Sequence, residues 1–226
     1  MIKAVIFDLD GTLLNRDASV KQFIANQYDR FYHQLHSINR LDFLNRFIEL
    51  EQRGYVWKDK VYQQLVQEFS IEISWEVLLQ DYIAHFHSHC IPFALLHEML
   101  NELKQRNLRL AIITNGFGQF QMDNIHALGI THYFDTILVS EWEQMKKPQP
   151  EIFHRALKQL NVQPEESIYI GDHPVNDIEG AQRVGMKTIW KRDPYFGSVT
   201  TPYIVDDLDE IIGIVETINE SQSSLL

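Results

Sequence analysis

The stretch Ala4-Val5-Ile6-Phe7-Asp8-Leu9-Asp10-Gly11-Thr12 decides the fold. Four apolar residues run without interruption and stop on an acid, a pattern that suits a strand buried on both faces of a parallel sheet. Similar apolar runs occupy 108–113, 136–139, 168–170 and 188–190, with a weaker one at 203–205. Helical spacing fills the gaps. Leu96, Met99, Leu100 and Leu103 share one face, and Pro150 stands where a helix would start before Ile152, Phe153, Ala156 and Leu157. Strand and helix alternating over 93–219 predict an α/β fold, a doubly wound parallel sheet.

Residues 15–90 break that alternation. Phe23, Ile24, Tyr28, Phe31 and Leu35 form one helical stripe, and Phe43, Leu44, Phe47 and Ile48 a second. Val61, Leu65 and Phe69 form a third. Trp75, Leu78, Leu79, Tyr82, Ile83 and Phe86 form a fourth, with Ser74 as its expected N-cap. The expected organisation is therefore a core of residues 1–14 and 91–226 carrying an inserted α-helical cap, 15–90. The polar tail 221–226 is expected to fray.

Composition narrows the function. Twenty Lys and Arg face 31 Asp and Glu, a formal charge of −11, which argues against nucleic acid and anionic membrane as partners. No stretch approaches the roughly 20 apolar residues of a membrane span. A lone cysteine, Cys90, excludes an internal disulfide, and the N-terminus lacks a signal peptide, so a cytoplasmic protein is expected.

Ligands of open α/β sheets bind beyond the carboxyl ends of the strands. The residues following the apolar runs are Asp8-Leu9-Asp10-Gly11-Thr12, Thr114-Asn115-Gly116, Ser140-Glu141 and Gly171-Asp172. Asp8 and Asp10, two apart on extended backbone, point to one side; Gly11 permits a sharp turn that the Thr12 hydroxyl can tie down. Adjacent carboxylates repel unless a cation intervenes, and Asp172 and Asp177 add two more. Oxygen donors without His or Cys favour a hard ion, Mg²⁺ first. Thr114, backbone N–H groups after it, and a cation from Lys146 or Lys147 complete a phosphoryl-sized anion site.

Four segments in order resemble the haloacid dehalogenase (HAD) superfamily of hydrolases. They are Asp8-Leu9-Asp10-Gly11-Thr12, Ile113-Thr114-Asn115-Gly116, Lys147-Pro148-Gln149-Pro150-Glu151-Ile152-Phe153 and Gly171-Asp172-His173-Pro174-Val175-Asn176-Asp177. The resemblance spans about residues 4–191 and implies a Rossmann-like core with a helical cap between the first two motifs. It implies a phosphatase acting on a small phosphorylated metabolite. Asp8 would attack phosphorus to form an aspartyl-phosphate, and Asp10 would serve as general acid and then base. Thr114 and the N–H of Asn115, with Gly116, would hold phosphoryl oxygens, and Lys147, the lysine directly before proline, would offset charge. Mg²⁺ would sit among Asp8, the Asp10 carbonyl and Asp172, with Asp177 orienting Lys147 or a metal-bound water. Arg16 and Arg53, the latter in an Arg53-Gly54-Tyr55 turn, are expected to face the leaving group from the cap.

Asp10 separates this chain from dehalogenases and from the phosphonate-cleaving branch, which also needs a cap lysine; nothing in the pattern marks Lys58 or Lys60 as buried. A phosphomutase and a non-catalytic phosphate sensor share the same scaffold. His85 and His89 share a helical face, but no third zinc ligand accompanies them, so capping or exposed histidines are expected.

Overall fold

In the computed structural model, which describes residues 1–223, the chain divides into two units. One is Met1–Asn15 with Pro92–Leu226, and the other is Arg16–Ile91. The first unit holds a single sheet of six strands: β1 (Ala4–Phe7), β2 (Arg109–Thr114), β3 (Thr136–Val139), β4 (Ser167–Gly171), β5 (Lys187–Lys191) and β6 (Tyr203–Val205). Their order is β3-β2-β1-β4-β5-β6, and each neighbouring pair is parallel. Phe7 lies opposite Ile112 on one side and Ile170 on the other. β2, β4 and β5 run past their apolar stretches to Thr114, Gly171 and Lys191, because backbone pairing rather than side-chain polarity ends a ladder.

The apolar runs are continuous because both sheet faces are covered. Pro150 takes the first position of the helix Pro150–Leu160, whose Ile152, Phe153, Ala156, Leu157 and Leu160 pack with Ala4, Ile6, Ala111, Ile113 and Tyr169. The chain leaves β1, builds β2 and β3 on one side, then returns to lay β4 on the other. That reversal places the carboxyl ends of β1 and β4 on either side of a crevice, the position at which such sheets bind ligands.

The second unit contains the helices Arg16–Arg30, Arg40–Glu51, Lys58–Phe69 and Trp75–His85. Its centre is aromatic: ring centroids are 4.9 Å apart for Phe23 and Tyr82, 5.0 Å for Tyr82 and Phe86, and 5.3 Å for Phe47 and Tyr62. Several expectations need correction. The first stripe is not one helix, since the chain breaks at Phe31 and Leu35 belongs to a separate turn, Tyr32–Leu35. Ser74 occupies the N-cap position but its side chain makes no capping bond, and Ile83 is exposed. No helix among the described residues is long and apolar enough to cross a membrane.

Lys58 is the largest departure. It is buried, 1% exposed, because Glu51 receives it: Lys58 Nζ donates to Glu51 Oε2 at 2.8 Å. Arg16 donates to the same carboxylate through Nη1 at 3.1 Å and Nη2 at 2.5 Å. Lys58 is thereby engaged within its own unit as the ion-pair partner of Glu51. Lys60 is exposed. Burial alone would raise the Glu51 carboxyl, but Arg16 and Lys58 outweigh it and hold the pKa at about 2, against an ordinary 4.5. A depressed carboxyl stabilises the folded state above its unfolded pKa and stops doing so as pH falls through the folded value. The contribution, about 3 kcal/mol, is therefore present above pH 4.5 and fades towards pH 2. Glu51→Gln is expected to lower the melting temperature at neutral pH and to flatten the acid limb of the melting profile. An acid limb unchanged in the variant would contradict the assignment.

Candidate active site

Asp8, Asp10, Thr114, Asn115 and Asp172 come from strand ends or the loops directly after them. Asp8 follows β1, and its backbone N–H donates to the Ile170 carbonyl at 2.9 Å, locking the start of the loop to β4. Gly11 then turns the chain with φ +81°, a left-handed conformation that favours glycine. The turn is closed by backbone: Gly11 N–H donates to Leu14 at 2.9 Å, and Leu13 and Leu14 both donate to the Leu9 carbonyl at 2.9 Å. The Thr12 hydroxyl is buried without a hydrogen-bond partner, so it does not tie the turn as its position suggested.

Glycine has a second use here. A Cβ on Gly11 would lie 2.4 Å from Asp172 Oδ2, and one on Gly171 would lie 2.4 Å from Asp177 Oδ2. Each carboxylate thus occupies space that a side chain would fill. Asp172 is further fixed through its carbonyl, which accepts from the Trp190 indole N–H at 2.6 Å.

Lys147 is the centre of the arrangement. It is 3% exposed, and its Nζ donates to Asp8 Oδ1 at 2.6 Å, Asp177 Oδ1 at 2.7 Å and Tyr169 Oη at 3.0 Å. Burial opposes its charge, but Asp177 and Asp8 more than offset that and raise its pKa, keeping it an ammonium. The loop carrying it is clamped by Asn115, whose side chain accepts from Lys147 N–H at 2.9 Å and donates to the Lys147 carbonyl at 3.0 Å. Asp177 is spent twice, since its Oδ2 also accepts from the His173 N–H at 3.0 Å. His173 itself caps the turn Pro174–Glu179: Nδ1 accepts from the N–H groups of Val175 at 3.1 Å and Asn176 at 3.2 Å.

Asp8, Asp172 and Asp177 each place a carboxylate oxygen within 4.8 Å of the others. Burial, with the charges of Asp177 and Asp10, lifts the Asp8 carboxyl to about 7 despite Lys147. Burial and the charges of Asp8 and Asp177 push Asp172 well above the usual carboxylate range. One ammonium does not neutralise three buried carboxylates, and an all-oxygen donor set of this charge fits a hard divalent cation. No other group of three or more candidate metal-binding His, Cys, Asp or Glu side chains occurs among the described residues. His89 Nδ1 contacts its own helix at the His85 carbonyl, 3.1 Å away, and His85 lies 3.7 Å from Asp81.

The remaining sequence candidates are distributed as follows. Thr114 ends β2 with its hydroxyl buried, and Gly116 N–H donates to Ser140 Oγ at 3.0 Å, joining the loops after β2 and β3. The Asp10 carboxylate is not one of the clustered three; its Oδ2 accepts from Gln121 Nε2 at 2.8 Å. Arg16 and Arg53 belong to the second unit, where Arg16 is bound to Glu51 and Arg53 stands 3.7 Å from Asp17. Arg53 has φ +56° and is followed by Gly54 at φ +93°. Sequence reasoning missed Tyr169, which reads as strand core, and Gln121, which reads as a polar helix residue.

The sequence pattern of a known family, the haloacid dehalogenase-like hydrolases, matches residues 5–191. A glyceraldehyde 3-phosphate phosphatase of Pyrococcus furiosus is 28% identical over 99% of this chain and 97% of its own. That of Pyrococcus abyssi is 31% identical over 84% of this chain and 81% of its own. Among solved structures, a HAD phosphatase from Thermococcus onnurineus superposes with a TM-score of 0.66 at 25% identity, covering 95% of this chain and 98% of the other. Motif acids on the predicted strand ends, the parallel sheet that carries them and a match over most of the sequence agree: the chain belongs to the haloacid dehalogenase-like hydrolases.

Proposed function

We propose that the protein is a Mg²⁺-dependent phosphomonoester hydrolase that acts on a small phosphorylated metabolite in the cytoplasm through an aspartyl-phosphate. One observation carries the reading. A nucleophile-sized carboxylate, Asp8, is held at a strand end by a buried ammonium that Asp177 and Tyr169 hold in turn. Two relatives bearing the name of a phosphatase for a three-carbon phosphate ester support the substrate class.

In this reading an Asp8 carboxylate oxygen attacks phosphorus, and the bond from phosphorus to the leaving oxygen breaks. Asp10 gives its proton to that oxygen, so the product leaves as a neutral alcohol. Asp10, now a carboxylate, takes a proton from the water that attacks the aspartyl-phosphate, releasing inorganic phosphate and restoring Asp8. Thr114 Oγ1 and the Asn115 N–H hold phosphoryl oxygens, and Lys147 balances charge on Asp8 and the transferring group. Asp8, the Asp10 carbonyl and Asp172 would hold Mg²⁺, with Asp177 beside them; the bound ion supplies the positive charge that lets Asp8 and a phosphate dianion approach each other. Arg16 and Arg53 are assigned to recognition of the leaving group.

The test is release of inorganic phosphate from 4-nitrophenyl phosphate. Turnover is expected with added Mg²⁺, to fall to background after chelation with EDTA, and to return when excess Mg²⁺ is restored. Undiminished turnover in EDTA would overturn the metal assignment. Binding of phosphate without turnover across a panel of phosphate esters would overturn the hydrolase.

A further inference from the structure

Gln121 lies in the helix Gly118–Ala127, 111 residues from Asp10 in sequence, yet its side chain reaches the site. It is 2% exposed. Its Nε2 donates to Asp10 Oδ2 at 2.8 Å and to Thr114 Oγ1 at 2.7 Å. Its Oε1 accepts from Asn124 Nδ2 at 3.3 Å. Gly116 makes the reach possible, since a Cβ there would lie 2.8 Å from Gln121 Cγ.

The hydrogen count settles what these contacts do. A primary amide has two N–H hydrogens and one carbonyl, and with Asn124 Nδ2 donating to the Gln121 oxygen the amide nitrogen is the end that faces Asp10 and Thr114. Both hydrogens are then used, one on Asp10 and one on Thr114. Thr114 Oγ1 accepts from Gln121, which leaves its own O–H hydrogen to donate elsewhere. Asp10 Oδ2 is likewise occupied as an acceptor, which leaves Oδ1 as the oxygen that carries a transferable proton. One buried amide therefore sets the polarity of two groups that the reaction needs.

We infer that Gln121 is a positioning residue that presents Asp10 Oδ1 to the leaving oxygen and turns the Thr114 hydroxyl towards the phosphoryl group. This rests on the assignment of Asp10 as general acid. Gln121 does not itself exchange a proton with substrate. Its loss weakens proton delivery, and that matters in proportion to how basic the leaving oxygen is.

The experiment compares kcat/KM for two aryl phosphates, which reports the steps up to phosphoryl transfer. 4-Nitrophenyl phosphate expels a stable anion that needs little protonation, whereas phenyl phosphate expels a phenolate about as basic as a tyrosinate. Gln121→Met keeps the length and volume and removes both donors. It is expected to lower kcat/KM for phenyl phosphate by about 10²-fold and to lower that for 4-nitrophenyl phosphate several-fold less. Gln121→Leu also removes both donors and adds no charge, so it gives the same change in ratio if the Met variant does not fold. Equal loss on both substrates in a folded variant assigns Gln121 a structural role and overturns the inference, as does no loss on either. Asp10→Asn is the control. If it leaves phenyl phosphate turnover intact, the general-acid assignment fails and the inference with it; if the wild type turns over neither ester, the hydrolase assignment fails; if it removes that turnover while the Gln121 variants keep their ratio, only the inference fails.

Discussion

Asp8→Asn is expected to abolish phosphate release, lowering kcat by at least about 10⁴-fold, while leaving the protein at least as stable as the wild type. The two halves of the result have different causes. An amide has no anionic oxygen to bond to phosphorus, so the covalent route closes. Stability does not fall with it. Asp8 is one of three buried carboxylates within 4.8 Å of one another, and its burial is unfavourable enough to raise its pKa to about 7. Replacing it with a neutral side chain of the same shape removes like-charge repulsion, and the amide oxygen can still accept from Lys147. Acid quench during turnover should recover covalent phosphate on the wild type and none on the variant. Phosphate still bound to the variant after quenching, or wild-type turnover by it, would sink the nucleophile assignment.

What could be read from the sequence followed from how a parallel sheet is made. Its strands are covered on both faces, so each appears as an unbroken apolar run, and the residue after each run stands at the ligand-binding edge. Asp8, Thr114 and Asp172 were therefore visible as soon as β1, β2 and β4 were. Gln121 was not, because a glutamine on a helix has no period or spacing to mark it, and its partners lie on other elements. Tyr169 was hidden for the opposite reason: within Ile-Tyr-Ile it looks like strand core, and its ring does pack on Phe153 with centroids 5.3 Å apart, while only the hydroxyl meets Lys147. Nothing in the sequence marks Lys58 as buried, since lysines are seldom buried unless paired. Its partner Glu51 ends the helix Arg40–Glu51, and the left-handed residues Gln52, Arg53 and Gly54 that bring the chain back between them are not described by apolar periodicity.

Removing Lys147 should fail in the way Asp8→Asn does not. The ammonium is the shared partner of Asp8 and Asp177, at 2.6 Å and 2.7 Å, and both carboxylates are buried. Lys147→Met leaves two buried anions facing each other with the Tyr169 hydroxyl and the His173 N–H as the remaining donors on Asp177. Breaking a buried ion pair by deleting one member costs about 3–5 kcal/mol, so the melting temperature should fall by roughly 10 °C. Turnover measured below that transition should still drop by at least about 10²-fold, since an oriented positive charge beside the transferring group is gone. Lys147→Arg is not a rescue. A planar guanidinium cannot place one nitrogen between two carboxylate oxygens as the compact ammonium does, and it needs room that the 3% exposure of this site denies it. Combining Asp8→Asn with Lys147→Met should recover part of the lost stability, because one carboxylate fewer is left in the buried cluster without the ammonium, while turnover stays at background. If the double variant is no more stable than Lys147→Met alone, the charge balance described here is not what the lysine supplies.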